Sequence, residues 1–541
     1  MMIGSLAVLT GCAKDDNGDG IPEGAMMLLS ESQGSNGAKT SVSTTTVQWE
    51  EDDVVTIDGT NYTVKISGDG KAYTSTAVPE AAAHYAYYNC GTVTSGTTTP
   101  TVTIPSRYAS SYSGGRQIIQ LPMAAYSSSN TKTVTFKHLT AAMEVQITNS
   151  TGFNGLYIDS VQVVSASQNL CGSVNIDLTE ADYNLAPADG GNRTVTVYFG
   201  WQEVTLDNGS TLKVQVPILP IASKPSDLTV KVYTHSKAAT VLGKPGIAPA
   251  NYDFNFSQTK AAPALGRNVM SKAAVSVTNG TGNTTTVDHS LFTIANGTQV
   301  HFSKGNLQAI GTTISSPSSG WTWQFAEHQY DYIGGRFYDM SVAQTGNNYI
   351  NGNGSISTNG IVDLFGWSTA STYYGIHNSE DDETYNGDFK DWGTTTITGT
   401  SGSWSTPSSD NWRYLFNTRT SASSKYGAAT VCSMNGVVVL PDHWTLPSEC
   451  SFTSGMSGGY TTNEYNGAQW AKMEAAGAVF LPAAGRRDGS YVLYVGNYGS
   501  YWSSTADVGK NAKDVFFSGG DVTPAYLDGY FRGCSVRLVC E

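Results

Sequence analysis

The sequence predicts a mostly β protein, in which two consecutive β-sandwich subdomains precede a third domain of mixed α+β type. Only 14% of its 541 residues are charged, whereas it contains 58 Gly and 30 Tyr. Thr, Val and Tyr suit pleated sheets, and Gly suits the turns between strands. Long amphipathic runs of Leu, Glu, Lys and Ala are almost absent, so helix is expected to be a minority. At the usual domain size, a chain of this length forms about three domains.

The chain opens with a short apolar run that ends in Leu9-Thr10-Gly11-Cys12. Apolar residues followed by small residues and a cysteine are typical of a lipoprotein signal, and Cys12 is the expected lipidation site. The Asp-rich residues that follow resemble the tag that directs lipoproteins of some Gram-negative anaerobes to the outer face. We expect residues 1–37 to form a leader and tether. The expected location is the cell surface at the outer membrane, with the lipid anchor as the sole membrane contact.

Charge and cysteine spacing exclude several classes of partner. The formal net charge of −14 argues against a nucleic acid partner, because phosphate binding needs a basic surface. The cysteines after Cys12 have neither CxxC nor Cys/His spacing, and we assign no disulfides. Asp15–Gly20 resembles the start of a calcium loop, but Met26 occupies the place of the bidentate carboxylate. The sequence therefore predicts no metal, no cofactor and no nucleic acid partner.

Short strand patterns alternate with turn residues in the region after the tether. VVTIDGTNYTVKI (54–66) predicts a hairpin whose turn is Asp58-Gly59. Similar patterns recur throughout the region, and strands at this frequency predict β-sandwiches. We place one subdomain at 38–152 and a second at 153–276.

Three segments of this region carry a family resemblance: KTSVSTTTVQWEEDDVVTIDG (39–59), HYAYYNC (84–90) and VTFKHLTAAMEVQITN (134–149). They resemble the fimbrillin (Mfa-like) family of Gram-negative anaerobes. The resemblance implies two consecutive β-sandwiches, and a role as a pilus subunit or related surface lipoprotein, with a fimbrium as the location and other pilus subunits as partners. Family pilins mature by cleavage after a basic residue, which frees a groove for a neighbour's strand. Lys39 is the candidate cut site, and an ordinary tether residue is the alternative.

A change of composition separates the next domain. VTNGTGNTTTVD (277–288) is polar and lacks periodicity, so we interpret it as a linker. Aromatic residues become frequent in 289–541, which we interpret as one α+β domain. Its best helix candidates are 408–419 and 463–482, and the second is expected to stop at Gly477.

Four segments of this domain form an ordered series: NWRYLFNTR (411–419), GAVFLPAAGRR (477–487), YWSST (501–505) and SVRLV (535–539). Together they resemble the C-type-lectin-like fold, in the bacterial branch that includes formylglycine-generating enzymes and retroelement-diversified binding proteins. The resemblance implies that the last strand returns to the core and that irregular loops just before it form a ligand surface. Such a fold is a rigid frame that carries variable loops.

The sequence patterns that carry other activities of that fold, both sugar binding and catalysis, are not found here. The Glu-Pro-Asn, Gln-Pro-Asp and Trp-Asn-Asp triplets of calcium-dependent sugar lectins do not occur. Cys534 and Cys540 fall within a predicted strand instead of forming a redox pair in a cleft. His301, His328 and His443 occur in aromatic scaffold segments, and neither a Ser/His pair nor a carboxylate pair stands out. We therefore expect no catalytic residues and no enzyme.

Composition near the C-terminus favours diversified binding loops. Retroelement diversification rewrites adenines, so an Asn codon can become Tyr, Ser, Asp, Gly or Phe but not Glu, Gln, Lys, Met or Trp. From Arg486 to Cys540 the chain contains no Glu, Gln or Met, and Trp502 is its only Trp. Lys510 and Lys513 would have to be fixed positions. The alternative is that a Gly- and Tyr-rich protein has Gly- and Tyr-rich loops everywhere.

Frame and contact positions can be separated by residue type. Tyr offers a large, rigid contact surface, and Ser, Gly and Asp adapt hydrogen bonds around it, as in antibody paratopes. The candidate ligand-binding residues are Asp488, Tyr491, Tyr494, Tyr498, Ser500, Phe516, Ser518, Asp521, Tyr526, Asp528, Tyr530 and Phe531. The expected frame positions are 501–505, Ala512, Val515, Phe517 and 535–539.

These patterns together predict a surface-displayed lipoprotein adhesin or pilus-tip-like protein that binds a ligand through its C-terminal loops. The ligand would be a protein or a glycan whose identity the sequence does not give. The competing hypothesis is a structural fimbrial subunit without ligand specificity. A third hypothesis is an enzyme on the formylglycine-generating-enzyme-like fold.

Overall fold

The structure is a computed structural model of the chain. It describes residues 21–31, 49–94, 96–113, 115–183, 185–187, 191–200, 203–221, 227–261, 264–311, 321–332, 361–376, 382–489 and 491–541. Cys12, the expected lipidation site, and Lys39, the candidate cut site, lie outside the described residues.

The chain forms two compact units. The first comprises the described residues up to Thr234 together with Phe254–Thr285, and the second comprises His235–Asp253 and Thr286–Glu541. Strands dominate both units, so the predicted mostly β fold class is confirmed. Residues 235–253 belong with the second unit.

Twenty-one strands precede residue 289 within the described part of the chain. In chain order they are β1 (Ala25–Ser30), β2 (Val54–Ile57), β3 (Thr60–Ile66), β4 (Ala72–Ala77), β5 (His84–Tyr88), β6 (Thr101–Ile104), β7 (Arg107–Ser113), β8 (Arg116–Ile119), β9 (Met123–Ser127), β10 (Thr133–His138), β11 (Ala141–Ser150), β12 (Leu156–Ser165), β13 (Gly172–Asn175), β14 (Ala186–Pro187), β15 (Thr194–Phe199), β16 (Thr205–Leu206), β17 (Thr211–Ile218), β18 (Leu228–Lys237), β19 (Asn251–Lys260), β20 (Met270–Thr278) and β21 (Thr284–Asp288).

These strands form a closed barrel and open sheets. The barrel runs β1-β10-β9-β5-β2-β3-β4. The sheets run β17-β11-β20, β14-β13-β6 and β21-β19-β18-β12-β15-β7-β8, with β16 beside β12. β6 and β7 therefore pair with β13 and β15, so strands from the two predicted subdomains share sheets.

In the barrel, the alternation of residues along a strand corresponds to alternation between buried and exposed side chains. In the hairpin of β2 and β3, Val55 and Ile57 are buried while Val54 is exposed. The turn residues Asp58 and Gly59 have φ of 49° and 81°, the left-handed values that a two-residue hairpin turn requires. The hairpin predicted at 54–66 is thus confirmed.

The segment interpreted as a linker contains strand. Residues 277–288 include the end of β20, a turn and the whole of β21. β21 lies at the edge of its sheet, and only Thr284 of its five residues is buried. An edge strand with this exposure tolerates polar residues, which is why composition alone resembled a linker.

The second unit contains shorter strands and most of the helix. Its strands are β22 (Phe292–Ala295), β23 (Thr298–Phe302), β24 (Leu307–Ile310), β25 (Thr322–Phe325), β26 (Ile361–Val362), β27 (Tyr426–Val431), β28 (Met434–Val439), β29 (Glu464–Tyr465), β30 (Val479–Pro482), β31 (Arg486–Asp488), β32 (Tyr491–Leu493), β33 (Gly499–Asp507), β34 (Asn511–Phe517), β35 (Val522–Gly529) and β36 (Val539–Cys540). They form the sheets β22-β23-β36, β25-β24-β26, β29-β27-β28-β30, β31-β32 and β33-β34-β35.

Helices are short. The α-helices are α1 (Ala238–Val241), α2 (Ser409–Arg413) and α3 (Gly467–Ala475), and a π-helical turn (Tyr414–Thr418) continues α2. Single 3-10 turns occur at Tyr373–Gly375, Asp382–Thr384, Trp392–Thr394, Ala422–Ser424 and Tyr460–Thr462. α3 ends just before Gly477, whose φ of +93° would be strained for any other residue. In the described part of the chain, no helix has the length and apolar character to cross a membrane.

In the second unit, a strand near the start of the unit pairs with the last strand of the chain. β36 lies antiparallel to β23, with Phe302 opposite Val539. Of the expected frame positions, most are buried, including Tyr501, Trp502, Phe517 and the whole of 535–539. Ser504 and Thr505 are half-buried. None of the described cysteines is in a disulfide.

Candidate functional site

The sheet β33-β34-β35 presents two different faces. One face carries Tyr501, Val515 and Phe517 into a core cluster. On the other face, Ser500 lies opposite Phe516 and Asp514 lies opposite Tyr526. Directly opposed residues of antiparallel strands project to the same side, so these four side chains share a face.

Four aromatic residues form a continuous row on this second face. The ring centroids of Tyr494 and Tyr498 are 4.6 Å apart, those of Tyr498 and Phe516 are 5.2 Å apart, and those of Phe516 and Tyr526 are 5.0 Å apart. Tyr526 is 42% exposed and the other three are half-buried. We call Tyr494, Tyr498, Phe516 and Tyr526 the aromatic row. Its members come from three separate segments of the chain, and all four are among the twelve candidate residues.

Backbone hydrogen bonds fix the turn that begins the row. The amides of Asn497 and Tyr498 both donate to the Tyr494 carbonyl, at 2.9 and 3.0 Å. The Tyr460 hydroxyl donates to the Asn497 carbonyl at 2.7 Å, and the Asn435 amide donates to the Gly496 carbonyl at 2.9 Å. The turn is therefore held from two other segments of the chain.

A charged cluster borders the row. Arg532 pairs with Asp488, and its Nε lies 3.3 Å from Asp528 Oδ1. Arg486 lies 3.7 Å from carboxylate oxygens of both Asp488 and Asp528. We call Arg486, Asp488, Asp528 and Arg532 the charged cluster. The Arg486 guanidinium also lies 5.4 Å from the centre of the Tyr494 ring, so the cluster and the row are in contact.

Two further groups lie beside the cluster. The side chains of Asp514 and Cys534 are fully buried. Burial raises the pKa of Asp514 well above its usual value, and the charge of Asp528 raises it further, against smaller opposing contributions from the Ser500 hydroxyl and Arg486. Burial and then Asp514 and Asp528 raise the pKa of the Cys534 thiol well above its usual range. Both shifts favour the neutral form of the group.

The hairpin of β31 and β32 is anchored by a buried arginine. Arg487 is fully buried and donates from its guanidinium to the carbonyls of Leu364, Gly375 and Gly489, at 3.2 to 3.4 Å. Burial lowers the pKa of Arg487. Because this anchor lies between Arg486 and Asp488, it fixes the positions of two members of the charged cluster.

The remaining candidates occupy less accessible or more distant places. Tyr530 is 8% exposed and stacks on Trp367, with ring centroids 4.5 Å apart, so its ring packs within the core. Ser500 is 2% exposed and Asp528 is 6% exposed. These three can shape the face, but most of their surface is withdrawn from a ligand. The strand pattern of a sequence does not distinguish such positions from their exposed neighbours.

Four candidates remain: Ser518, Asp521, Phe531 and Tyr491. Ser518 and Asp521 form the turn between β34 and β35, where the Ser518 amide donates to the Asp521 carbonyl at 3.0 Å. Phe531 is half-buried, and the Arg532 guanidinium lies 4.8 Å from the centre of its ring. Tyr491 lies on β32, and its side chain is outside the described part.

Sequence reasoning missed Arg486, Arg532, Asp514 and Cys534. The two arginines are adjacent to candidate residues, but arginine was not among the residue types associated with contact. Asp514 lies in KDVFF (513–517), directly after Lys513, and charged residues of this kind normally face solvent. Cys534 is twenty positions further along, and no spacing rule connects the two.

A Ser-His-Asp grouping elsewhere in the second unit has a structural role. The Ser290 hydroxyl donates to Asp288 and lies 2.8 Å from His301 Nδ1. His301 Nε2 lies 3.9 Å from the same carboxylate. Ser290 and His301 are buried, so the hydroxyl is committed to the aspartate and is not presented to a substrate. The grouping fixes the start of β22.

The first unit contains an open cavity of about 600 Å³, which is lined by residues of β2, β5 and their neighbours. Asp53 is one of the lining residues, and it accepts hydrogen bonds from the Tyr88 hydroxyl at 2.8 Å and from Gln120 at 3.1 Å. The Asp53 carboxylate, one polar group of this lining, is thus already hydrogen-bonded within the protein.

Comparisons with known proteins give partial likenesses. No family model and no curated protein matches the chain. Similar solved structures include a fimbrial protein from Bacteroides vulgatus ATCC 8482, at 9% identity and a TM-score of 0.25, covering 49% of this chain and 98% of that one. Putative cell adhesion proteins from Bacteroides ovatus ATCC 8483 and Bacteroides uniformis ATCC 8492 are 12% and 15% identical, with TM-scores of 0.28 and 0.26. Each covers 49% of this chain, and the chain covers 95% and 99% of them. At these values the comparisons assign the chain to no family, and its function has to be inferred from its own residues.

Proposed function

We propose that the protein is a surface-displayed lipoprotein adhesin that binds a protein or glycan through the aromatic row and the charged cluster. The single observation that carries the proposal is the row itself: four aromatic rings from three segments, each in contact with the next, with one end exposed to solvent. The lipoprotein-like residues that end at Cys12 support the proposed surface display.

The row has the properties of a binding hot spot. Tyr and Phe offer large contact areas, and Tyr can also hydrogen-bond, so such residues dominate many interfaces. The row is also held in place before any ligand arrives, through the backbone bonds of the 494–498 turn. Because a fixed surface loses little entropy on binding, preorganisation increases affinity.

The charged cluster supplies the specificity expected at the rim of such a site. Its two arginines and two aspartates are paired with one another, and the side chains of Arg486 and Arg532 are 22% and 26% exposed. A ligand that offers carboxylates or hydroxyls beside an apolar or sugar surface would meet both parts of the site.

The first test is ligand capture on glycan and surface-protein arrays by the lipid-free chain from residue 13 onward. Tyr526→Ala and Tyr498→Ala are expected to lose the signals of the wild type. Tyr198→Ala is the matched control, because Tyr198 is 39% exposed but lies in the first unit. A Tyr526→Ala chain that captures the same ligands as the wild type, or a wild type that captures nothing, would contradict the proposal.

One observation favours a second function, that of a fimbrial subunit that assembles by strand exchange. β1 completes the barrel by pairing in parallel with β10 and antiparallel with β4. Cleavage after Lys39 would separate β1 from the rest of the chain and expose the edges of both neighbours.

Limited trypsin digestion followed by size-exclusion chromatography tests this second function. If it holds, the digested wild type forms multimers while Lys39→Ala stays monomeric. A wild type that remains monomeric after loss of β1 would exclude assembly by this route.

A further inference from the structure

Three ligand-type atoms converge beside the aromatic row. One carboxylate oxygen each from Asp514 and Asp528 and the Sγ of Cys534 all lie within 4.8 Å of one another. Asp514 and Cys534 are fully buried, and Asp528 nearly so. They come from β34, from β35 and from the segment before β36.

Hydrogen bonding leaves these carboxylate oxygens open to a ligand, although Arg486 lies 3.7 Å from Asp528 Oδ2. Within the described residues, both carboxylate oxygens of Asp514 lack a well-formed hydrogen bond, and so does Oδ2 of Asp528. Asp528 Oδ1 is used separately, since it accepts from the Gly529 amide and faces Arg532. Burial of a carboxyl group without a hydrogen-bond partner is strongly unfavourable. Such a group therefore indicates an absent partner.

The local charges fit a divalent cation. With all three ligands deprotonated, their charge is −3, and a divalent ion reduces it to −1. Arg486 lies 3.7 Å from Asp528 Oδ2 and would balance the remaining charge. Binding would release the Cys534 proton and any proton on Asp514 to solvent, as thiolate and carboxylate coordination requires.

The donor set selects among cations. Two carboxylate oxygens and a thiolate match Zn²⁺, whereas Ca²⁺ and Mg²⁺ prefer oxygen alone. Zinc bonds of about 2.0–2.3 Å place tetrahedral ligand atoms about 3.3–3.8 Å apart. The three atoms therefore need only a modest approach, and the second oxygen of Asp514 or a water would complete the coordination.

We propose that Asp514, Asp528 and Cys534 form a zinc site that ties β34 and β35 to the segment preceding β36. This proposal is independent of whether the aromatic row binds a ligand. Its structural effect would be to cross-link the sheet next to the row.

The test uses the full tag-free chain after treatment with a chelator. Zn²⁺ is added in an isothermal titration, and Co²⁺ is added separately so that thiolate coordination can be followed by its charge-transfer absorption. We expect one ion per chain, an increase in thermal stability on Zn²⁺ addition, and the Co²⁺–thiolate band.

Matched variants locate the site. Asp514→Asn and Cys534→Ser are expected to weaken binding by at least about tenfold, as loss of groups at metal sites does, and Cys534→Ser should abolish the thiolate band. Asp521→Asn and Cys540→Ser are the controls, since Asp521 lies in the exposed turn and Cys540 is a buried thiol outside the cluster. Circular dichroism shows whether each variant is folded. If Asp514→Asn or Cys534→Ser does not fold, Asp528→Asn is used in its place.

Absence of binding to the wild type would overturn the proposal. So would binding that survives both Asp514→Asn and Cys534→Ser, or binding that Cys540→Ser removes equally.

Discussion

Tyr494 stacks on Tyr498 with ring centroids 4.6 Å apart and ring planes inclined by 30°. Tyr494 also has a φ of 61°, in the left-handed region that a bulky residue rarely adopts. Such a conformation costs about 1–3 kcal/mol, whereas an aromatic pair contributes about 0.5–1.5 kcal/mol. The stack and the two amides that donate to the Tyr494 carbonyl together offset the strain. The turn is thus held in a conformation that a free peptide would avoid, which is common at binding surfaces.

Removal of the Tyr498 ring should loosen this turn. Tyr498 contacts both Tyr494 and Phe516, so Tyr498→Ala loses two aromatic pairs. We expect the free energy of unfolding to fall by about 2 kcal/mol, as measured by urea unfolding with tryptophan fluorescence. Tyr498→Phe keeps both pairs and should unfold almost as the wild type does. Equal loss in the two variants would show that the hydroxyl, and not the stack, holds the turn.

Gly485 should tolerate no side chain. Its φ is +74°, and a Cβ there would lie 2.2 Å from the Leu493 carbonyl oxygen. Gly485→Ala is expected to destabilise the protein by about 2 kcal/mol or more through strain and the clash. Gly520→Ala is the matched control, since a Cβ there would meet nothing within 4 Å. If chemical denaturation gives the two variants the same midpoint, the hairpin of β31 and β32 is not held as the structure shows.

Stability should depend on pH through His289. Its Nε2 lies 2.8 Å from Asp253, and its Nδ1 lies 3.0 Å from the His443 carbonyl. Burial lowers the pKa of His289, but the hydrogen bond and charge of Asp253 outweigh it, so the pKa is raised above 6.5. A pKa that is higher in the folded state stabilises the protein below the unfolded pKa, and the effect is lost as pH rises through the folded value.

The stability difference between the wild type and His289→Gln should therefore be largest below about pH 6 and should shrink above it. Urea unfolding over a pH series measures the difference, and Asp253→Asn should remove most of its pH dependence. A difference that grows with rising pH would contradict the assigned interaction.

Retroelement diversification predicts where related strains differ. Differences should cluster at exposed or half-exposed positions such as Tyr494, Tyr498, Phe516 and Tyr526, because these can change without disturbing the core. The buried Trp502 should be constant. Sequencing of this gene in related strains decides the matter: differences spread evenly over 486–540 would favour a structural subunit.

Local patterns predicted the parts of the fold that local chemistry determines. The Asp58-Gly59 turn requires left-handed residues, and Gly477 stops a helix, so both could be recognised from sequence. Residues 277–288 could not, because the polar composition of an edge strand resembles that of a linker. The pairing of β6 with β13 joins residues far apart in the chain, and no periodicity reveals such contacts.

The candidate site was predicted in composition but not in arrangement. The aromatic row consists of residues selected by type, whereas the burial of Tyr530 against Trp367 depends on a long-range contact. Asp514 was missed because a buried aspartate that follows a lysine has the same sequence pattern as an exposed one. Its proximity to Cys534 arises from the folded sheet alone.

The pairing of β36 with β23 affects how the protein is made. Phe302 has its partner only after Val539 has been synthesised, so the second unit cannot complete its core during most of translation. A product that stops before Ser535 lacks β36, the strand that pairs with β23. Because the aromatic row precedes Ser535 in the chain, the second unit completes its core only after every residue of the row has been synthesised.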